Sequence, residues 1–275
     1  MRISVIITTY NAPAWLEKVL WGYSVQLHKD FELIIGDDGS SAETRELIER
    51  MRDETRMDIK HVWQQDKGFR KCRILNKAIL AAAAEYVVFS DGDCIPRNDF
   101  LAVHAAEAEP GRFLSGGYQK LPMPISKAIS KEDILTGRCF DLKWLKVNGL
   151  KRSLKNAKLI TTHGQARIFN NLTITKCTLK GANASVWRKD IFAVNGFDER
   201  MAWGGLDREL GVRLVNYGIR PKHVRYNAIV LHLDHERGYK DPEMVASNKK
   251  LRIFNVHNRI NCTEHGISQL PTEKL

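Results

Sequence analysis

Two carboxylates one residue apart, in Asp91-Gly92-Asp93, follow directly on the apolar run Tyr86-Val87-Val88-Phe89-Ser90. At the C-terminal end of a buried strand such a pair points into the crevice where open α/β sheets bind ligands. Hard carboxylate oxygens there suit Mg²⁺ or Mn²⁺, which is usually held by one or two carboxylates plus substrate phosphates. The competing reading is a surface turn, because Asp-Gly is common turn chemistry. A second acidic pair, in Asp37-Asp38-Gly39-Ser40, closes another apolar run, and Ser40 suits the N-cap of the next helix. Gln65-Asp66-Lys67-Gly68-Phe69-Arg70 is a cationic loop ahead of a helix carrying Arg73 and Asn76. Its side chains and the helix N–H groups both suit phosphate oxygens, so Arg70, Lys71 and Arg73 are weighed against plain surface charge. Late in the chain, Leu231-His232-Leu233-Asp234-His235 ends a strand, where a neutral imidazole could complete a metal's coordination. Position favours His232 with His235 close behind, against a hydrogen-bonded core histidine for either.

The elements that must carry these residues alternate strand and helix over the first hundred positions. Strands are predicted at 3–8, 31–36, 59–64 and 86–90, and helices at 14–26, 42–54, 73–84 and 99–109. That alternation predicts a parallel sheet with crossover helices, whose strand ends assemble one site. No G-x-G-x-x-G follows the first strand and no G-x-x-x-x-G-K-[ST] occurs, which argues against a dinucleotide fingerprint and a P-loop. Beyond Gly116-Gly117 the pattern loosens, and the basic, weakly periodic stretch 120–172 reads as mobile or insertion-like. Later elements are expected at 179–187, 190–194, 207–217 (a helix), 228–233 (a strand) and 241–256 (a helix), with 266–275 frayed. There is no internal repeat or low-complexity tract.

The 275 residues suffice for one large or two small domains with ample core, and the 43% hydrophobic content is that of a globular chain. No apolar run approaches a membrane span, and Ile3–Ile7 is too short for a signal sequence, so a cytoplasmic protein is expected. The five scattered cysteines form no C-x-x-C pair, which fits a reducing compartment rather than zinc or disulfides. The net charge of +11 is concentrated between Lys120 and Lys158. A solvated face, a phosphorylated substrate or an anionic membrane surface would each account for it. Nucleic acid is disfavoured, because aromatics are not interleaved as stacking platforms.

Ser4-Val5-Ile6-Ile7-Thr8-Thr9-Tyr10-Asn11, Asp37-Asp38-Gly39-Ser40 and Asp91-Gly92-Asp93 together resemble the N-terminal half of a family 2 glycosyltransferase of GT-A fold. Gly181-Ala182-Asn183-Ala184-Ser185, Gly196-Phe197-Asp198-Glu199 and Trp203-Gly204-Gly205-Leu206-Asp207 are similar to the C-terminal region of β1,4-galactosyltransferases and chondroitin-polymerase-type enzymes. The resemblance covers most of residues 1–235. It implies a single catalytic domain with a mostly parallel, mixed α/β sheet. A nucleotide-sugar-binding half would span 1–118, and an acceptor-binding half 119–275 with a basic insertion near 120–172. It further implies Asp93 as direct ligand of Mn²⁺ or Mg²⁺, with Asp91 reaching the ribose or, through water, the metal. Asp38 would contact uracil, Thr8 and Tyr10 would line the base pocket, and the 65–76 segment would contact the nucleotide sugar. Asp207 corresponds to the base that takes the acceptor's proton, with Glu209 as a fallback and an ordinary N-cap as the alternative. Leu206 stands where the family commonly has Glu. Trp203, flanked by glycines with little local packing, is read as a platform for a sugar ring.

The leading expectation is therefore an inverting, metal-dependent transferase. It would move a hexose or N-acetylhexosamine from a UDP-sugar to a surface glycan, of lipopolysaccharide-core or capsule type, at the cytoplasmic face of a membrane. The basic 120–158 segment is the candidate contact with a lipid-linked acceptor or anionic membrane. The alternatives are a sugar-phosphate nucleotidyltransferase, which would need a glycine-rich basic N-terminal loop, and a non-catalytic basic binding module, which would need none of the ordered carboxylates.

Overall fold

A computed structural model of the chain describes residues 1–236 and 241–270. The N-terminal alternation is realised as β1 (Ile3–Thr9), α1 (Pro13–Ser24), β2 (Phe31–Asp37), α2 (Ala42–Thr55), β3 (Ile59–Trp63), α3 (Lys71–Ala81) and β4 (Tyr86–Asp91). After β5 (Cys94–Pro96), α4 (Phe100–Glu107) and β6 (Arg112–Lys120) comes a run of short helices. These are α5 (Met123–Ala128), α6 (Lys131–Leu135), α7 (Leu142–Val147), α8 (Ala157–Ile160) and α9 (His163–Asn171). The last elements are β7 (Ala184–Trp187), α10 (Arg188–Ala193), α11 (Leu206–Tyr217), β8 (Arg220–His232) and α12 (Pro242–His257).

One sheet of eight strands runs in the order β3-β2-β1-β4-β7-β6-β8-β5. β3, β2, β1 and β4 are parallel, and β7 pairs antiparallel with both β4 and β6. The central strands are buried on both faces, hence their unbroken apolar runs. Side chains alternate across the pleat: Ile3, Val5 and Ile7 join the core beneath α1 and α2, while Ile6, Ile34 and Phe89 join the one beneath α3 and α11. Burying each such side chain contributes about 1.5–3 kcal/mol, and both layers are anchored through β1 and β4. The register sets Thr9 beside Asp37 and Thr8 beside Asp91, so three C-terminal strand ends finish at one edge.

The far half of the sheet departs from the sequence expectation. β6 crosses the expected 118/119 division and shares the sheet with both halves. β8 begins at Arg220 rather than Ala228, because its first half is polar and only its second half reads as an apolar strand. Its pairing with β6 jumps from Gly116–Val224 to Gly117–Ile229. Asn183 fills this irregularity, donating to the carbonyls of Gly117 (2.7 Å) and Ala228 (2.9 Å). A Cβ on Gly116 would lie 2.0 Å from the Asn183 Oδ1, so only glycine fits there.

The stretch 120–172 is not a loose insertion. Ile125, Ile129, Ile134, Cys139, Leu145 and Leu150 are buried in the main core. Its helices are too short, and too differently oriented, for one hydrophobic period to show in the sequence. The C-terminus is likewise not frayed throughout: Ile267 and Leu270 are buried, whereas 271–275 lie outside the described residues.

Candidate active site

Asp91, at the last position of β4, accepts hydrogen bonds from the Lys71 Nζ (2.6 Å) and the Thr8 Oγ1 (3.1 Å). Lys71 opens α3, so its ammonium projects where that helix already presents unpaired N–H groups. Burial opposes its charge, but Asp91 first, and then the fields of Asp93 and Asp207, hold it firmly protonated. One ammonium thus senses three carboxylates delivered by β4, the turn after it, and α11. A sequence reading ranks Lys71 among several loop cations, whereas the fold makes it central.

Asp38 sits on the other side of the same helix start. Its Oδ2 accepts from the Arg70 N–H (2.8 Å) and its Oδ1 from the Gln64 Nε2 (2.7 Å). Burial pushes its pKa up, against the pull of these two donors. Asp37 faces away, accepting from the Ser40 N–H and pairing with His61 at 3.0 Å, so Ser40 receives a cap rather than providing one to α2. Tyr10, half exposed, donates to the Asp66 Oδ2 (2.9 Å), in the loop that also supplies Asp38's donors Gln64 and Arg70.

The turn after β4 brings Asp93 against the end of β8, because Cys94 is in register with His232. The Asp93 Oδ2 lies 3.0 Å from the His235 Nε2 and 3.9 Å from the His232 Nε2. The two imidazoles stack with centroids 5.7 Å apart. Each ring has its Nδ1 against a backbone carbonyl, Leu233 for His232 and Glu236 for His235, both at 2.8 Å. A ring that donates from Nδ1 presents a bare Nε2 lone pair when neutral. Two such lone pairs facing a carboxylate repel unless positive charge lies between them, either as protons on the rings or as a cation. This donor set of one carboxylate and two imidazoles fits Mn²⁺ or Mg²⁺ sharing the remaining positions with phosphate. Cys94 lies in the same cluster, its Sγ within 4.8 Å of ligand atoms of Asp93 and His232, but a soft thiol suits Mn²⁺ or Mg²⁺ less well than carboxylate and imidazole do. Burial works against the Asp93 charge, yet His235 and His232 hold its pKa below the usual carboxylate range.

Asp207 lies in the first turn of α11. Its Oδ2 accepts from the Gly181 N–H (3.0 Å) and its Oδ1 from the Arg208 N–H (2.9 Å). It lines an open cleft of ≈ 440 Å³ together with Trp203, Gly204, Arg208, Val245 and Lys249. Gly204 and Gly205 have φ of +109° and +84°, a left-handed turn that side chains resist. Asn248 of α12 fastens that turn by donating to the carbonyls of Ala202, Trp203 and Gly204. Leu206, in the family's Glu position, is buried in the core beneath α11 and offers the cleft no polar group.

Three expected residues serve other ends. Asn76 is fully buried and uses its amide both ways on Phe197, donating to its carbonyl (2.9 Å) and accepting from its N–H (2.8 Å). Arg73 pairs with Glu199 at 2.9 Å. Both fasten the 197–199 turn to α3 rather than facing the crevice, because helical spacing turns them to the side opposite Lys71's partners. Glu209, the fallback base, is fully buried in a bidentate pair with Arg213. Among the predicted residues, the fold gathers Thr8, Tyr10, Asp38, Arg70, Asp91, Asp93, His232, Trp203 and Asp207 on this side of the sheet, and gives Lys71 and His235, which the sequence offered as alternatives, the closest contacts to its carboxylates.

Residues 4–130 match the model of glycosyl transferase family 2. Validoxylamine A glucosyltransferase of Streptomyces hygroscopicus subsp. jinggangensis is 30% identical over 253 residues, 86% of this chain and 57% of that protein. Chondroitin synthase of Escherichia coli is 28% identical over 233 residues, 78% of this chain and 32% of that protein. The chain therefore spans about half the length, or less, of these relatives. Among solved structures, S. aureus TarS 1-349 in complex with UDP superposes with a TM-score of 0.65 at 18% identity, over 94% of this chain and 66% of that 1-349 fragment. The fold is the GT-A fold.

Proposed function

We propose, from the premise that residues 4–130 form a family 2 glycosyltransferase domain, that this chain transfers a hexose or N-acetylhexosamine from a UDP-sugar to a glycan hydroxyl with inversion at the anomeric carbon. The observation that carries the reading is the Lys71 ammonium, bound to Asp91 and within the field of Asp93 and Asp207 at the start of α3. A passive basic module has no use for that convergence, and a nucleotidyltransferase would need a glycine-rich basic N-terminal loop that Thr8-Thr9-Tyr10-Asn11 does not supply. The glucosyltransferase among the relatives and the neighbour solved with UDP support a UDP-hexose.

The donor half would use the parallel strand ends. Asp38 and Tyr10, at the ends of β2 and β1, would take the base. Asp91 would accept from the ribose hydroxyls, with Thr8 and Lys71 holding its carboxylate in place. A divalent cation held by Asp93, His232 and His235 would neutralise the departing diphosphate as a Lewis acid. The Lys71 ammonium and the N–H groups at the start of α3 lie where they add to that stabilisation.

The acceptor half would use Asp207. Its two backbone N–H donors fix the carboxylate's orientation while leaving the remaining lone pairs free to accept an acceptor O–H. Attack from this side, opposite the diphosphate, inverts the anomeric centre. Trp203 at the cleft supplies an aromatic face for a sugar ring. Removing a positioned base typically costs 10²–10⁴-fold in rate. Asp207→Asn should lose transfer by about that factor while keeping Mn²⁺-dependent UDP-sugar binding, and Asp93→Ala should lose both. Full transfer by Asp207→Asn would refute the assignment of the base.

The acceptor we favour is a surface glycan of lipopolysaccharide-core or capsule type reached at a membrane. Among the described residues no helix is long and apolar enough to cross one. Peripheral contact is supported by the 147–174 segment. Leu154 (97% exposed) and Ile174 (100% exposed) stand with Ile160, Ile168 and Leu172 among lysines and arginines. Such a surface suits anionic lipid, with binding that weakens as salt rises. Sedimentation with phosphatidylglycerol vesicles should be lost on Leu154→Asp/Ile174→Asp.

A further inference from the structure

Within the field of Asp207, three cations meet where β6 and β8 lose register. The Lys180 Nζ donates to the Gly116 carbonyl (3.1 Å) and the Lys158 Nζ to the Tyr118 carbonyl (3.3 Å). These carbonyls are two residues apart on one strand, hence on the same side and about 7 Å apart. Arg225 joins from the irregular part of β8, where its backbone carbonyl closes on Gly117, and its charge acts on both lysines. Lys158 is only 7% exposed. Among the described residues none of the three has a carboxylate at ion-pair distance, and the acidic group Lys180 senses is Asp207.

Burial, and then the charges of the other cations, lower the pKa of both lysines, that of Lys158 to about 8. Arg225 donates from one guanidinium nitrogen to the Thr175 Oγ1 (2.7 Å), but its buried Nε has no partner. A buried donor without an acceptor costs about 1–3 kcal/mol, and like charges drawn together out of water add to the cost. Folded chains avoid such a cluster unless something else satisfies it. The surrounding groups do not: Lys155 and Arg208 are cationic, and Cys177 is a thiol whose pKa burial raises to about 11. An oxyanion would supply both the missing charge and the missing acceptor.

We propose that Lys158, Lys180 and Arg225 form an oxyanion site that receives a negatively charged group, phosphate or carboxylate, carried by the acceptor next to its reacting hydroxyl. The placement follows from chain continuity. Lys180 is joined to Gly181, whose N–H is bound to the Asp207 carboxylate, so the anion and the attacking oxygen are held by adjacent residues. The site is separate from the donor diphosphate, which the reading above assigns to Asp93 and the start of α3. This inference rests on that reading only for the role of Asp207. It would select charged acceptors over neutral ones.

The test is thermal unfolding of the full chain at constant ionic strength, titrated with inorganic phosphate and, separately, with glucuronate. Wild type should gain apparent stability with at least one of them, because a ligand that binds only the native state stabilises it. A response to phosphate alone assigns a phosphoester acceptor, and a response to glucuronate alone a carboxylate sugar. Lys180→Met and Arg225→Gln should weaken the apparent affinity at least tenfold. Lys158→Met should do the same while raising the Tm of the ligand-free protein, since it removes one of three mutually repelling charges. Asp207→Asn and Asp93→Asn should keep the response whether or not they transfer sugar, which separates this site from the catalytic reading. The proposal is overturned if neither anion stabilises wild type, if the three cluster variants respond as wild type does, or if Asp93→Asn abolishes the response.

Discussion

Arg213→Met is expected to destabilise the fold by about 3–5 kcal/mol, the range for removing one partner of a buried ion pair. Arg213 and Glu209 are both wholly buried, one turn apart on α11. The guanidinium donates twice to Glu209, at 2.6 and 2.8 Å, and also to the carbonyls of Val194 and Gly196. After the substitution Glu209 would retain the Asn255 Nδ2 (2.8 Å) as its donor, leaving a nearly uncompensated charge in the core. For a chain of this size each kcal/mol moves Tm by about 2–4 °C, so a fall of roughly 6–20 °C is expected by calorimetry or circular dichroism. Arg213→Met/Glu209→Leu should regain most of the loss, because replacing both charges removes the desolvation penalty instead of exposing it. Glu209 lies two residues beyond Asp207 on the same helix, so the single variant should also lose transfer more than UDP-sugar binding. A single variant within about 1 kcal/mol of wild type, or a double variant no more stable than the single, would refute the argument.

Stability should also fall in mild acid because of His104. Its Nε2–H donates to the Asn183 Oδ1 and its Nδ1 accepts from the Ser185 hydroxyl, and burial lowers its pKa from 6.5 to about 4. The folded chain keeps the ring neutral while the unfolded chain protonates it. This contribution is therefore complete above pH 6.5 and disappears as pH falls towards 4, by up to about 3 kcal/mol. Urea midpoints across that range, flattened in His104→Gln, would check it. Gly205→Ala places a side chain at φ +84° and should cost about 1–2 kcal/mol while misplacing Asp207, seen as lost transfer with intact UDP-sugar binding. Chelation with EDTA should abolish activity, with Mn²⁺ or Mg²⁺ restoring it in wild type. His235→Ala should need more metal than His232→Ala, since His235 is the nearer to Asp93; equal requirements would count against that ranking.

The N-terminal half was legible because β1, β2 and β4 are buried on both faces and end at the ligand edge. Its apolar runs mark β1, β2 and β4, and the polar residues closing them mark Thr8, Asp38 and Asp91. Asp207 was found through the resemblance of Trp203-Gly204-Gly205-Leu206-Asp207 to a family motif, and the structure shows the two glycines of that motif at positive φ. Arg73 and Asn76 show the limit: proximity in sequence to a phosphate-suited loop does not say which way a helical side chain turns. His235 matched or exceeded His232 because the chain bends back after β8, which no strand pattern encodes.

The sequence by itself determined the layers, the parallel order of the first strands and the acidic residues at their ends, since periodicity and turn chemistry are local. Only the tertiary structure decided that Lys71 would sense three carboxylates, that two histidines would face Asp93, and that Lys158, Lys180 and Arg225 would share one corner. Those relations join residues up to 142 positions apart, from Asp93 to His235, through strand register and β-sheet irregularity. Register is set by how whole faces pack, and that information is spread over the entire chain.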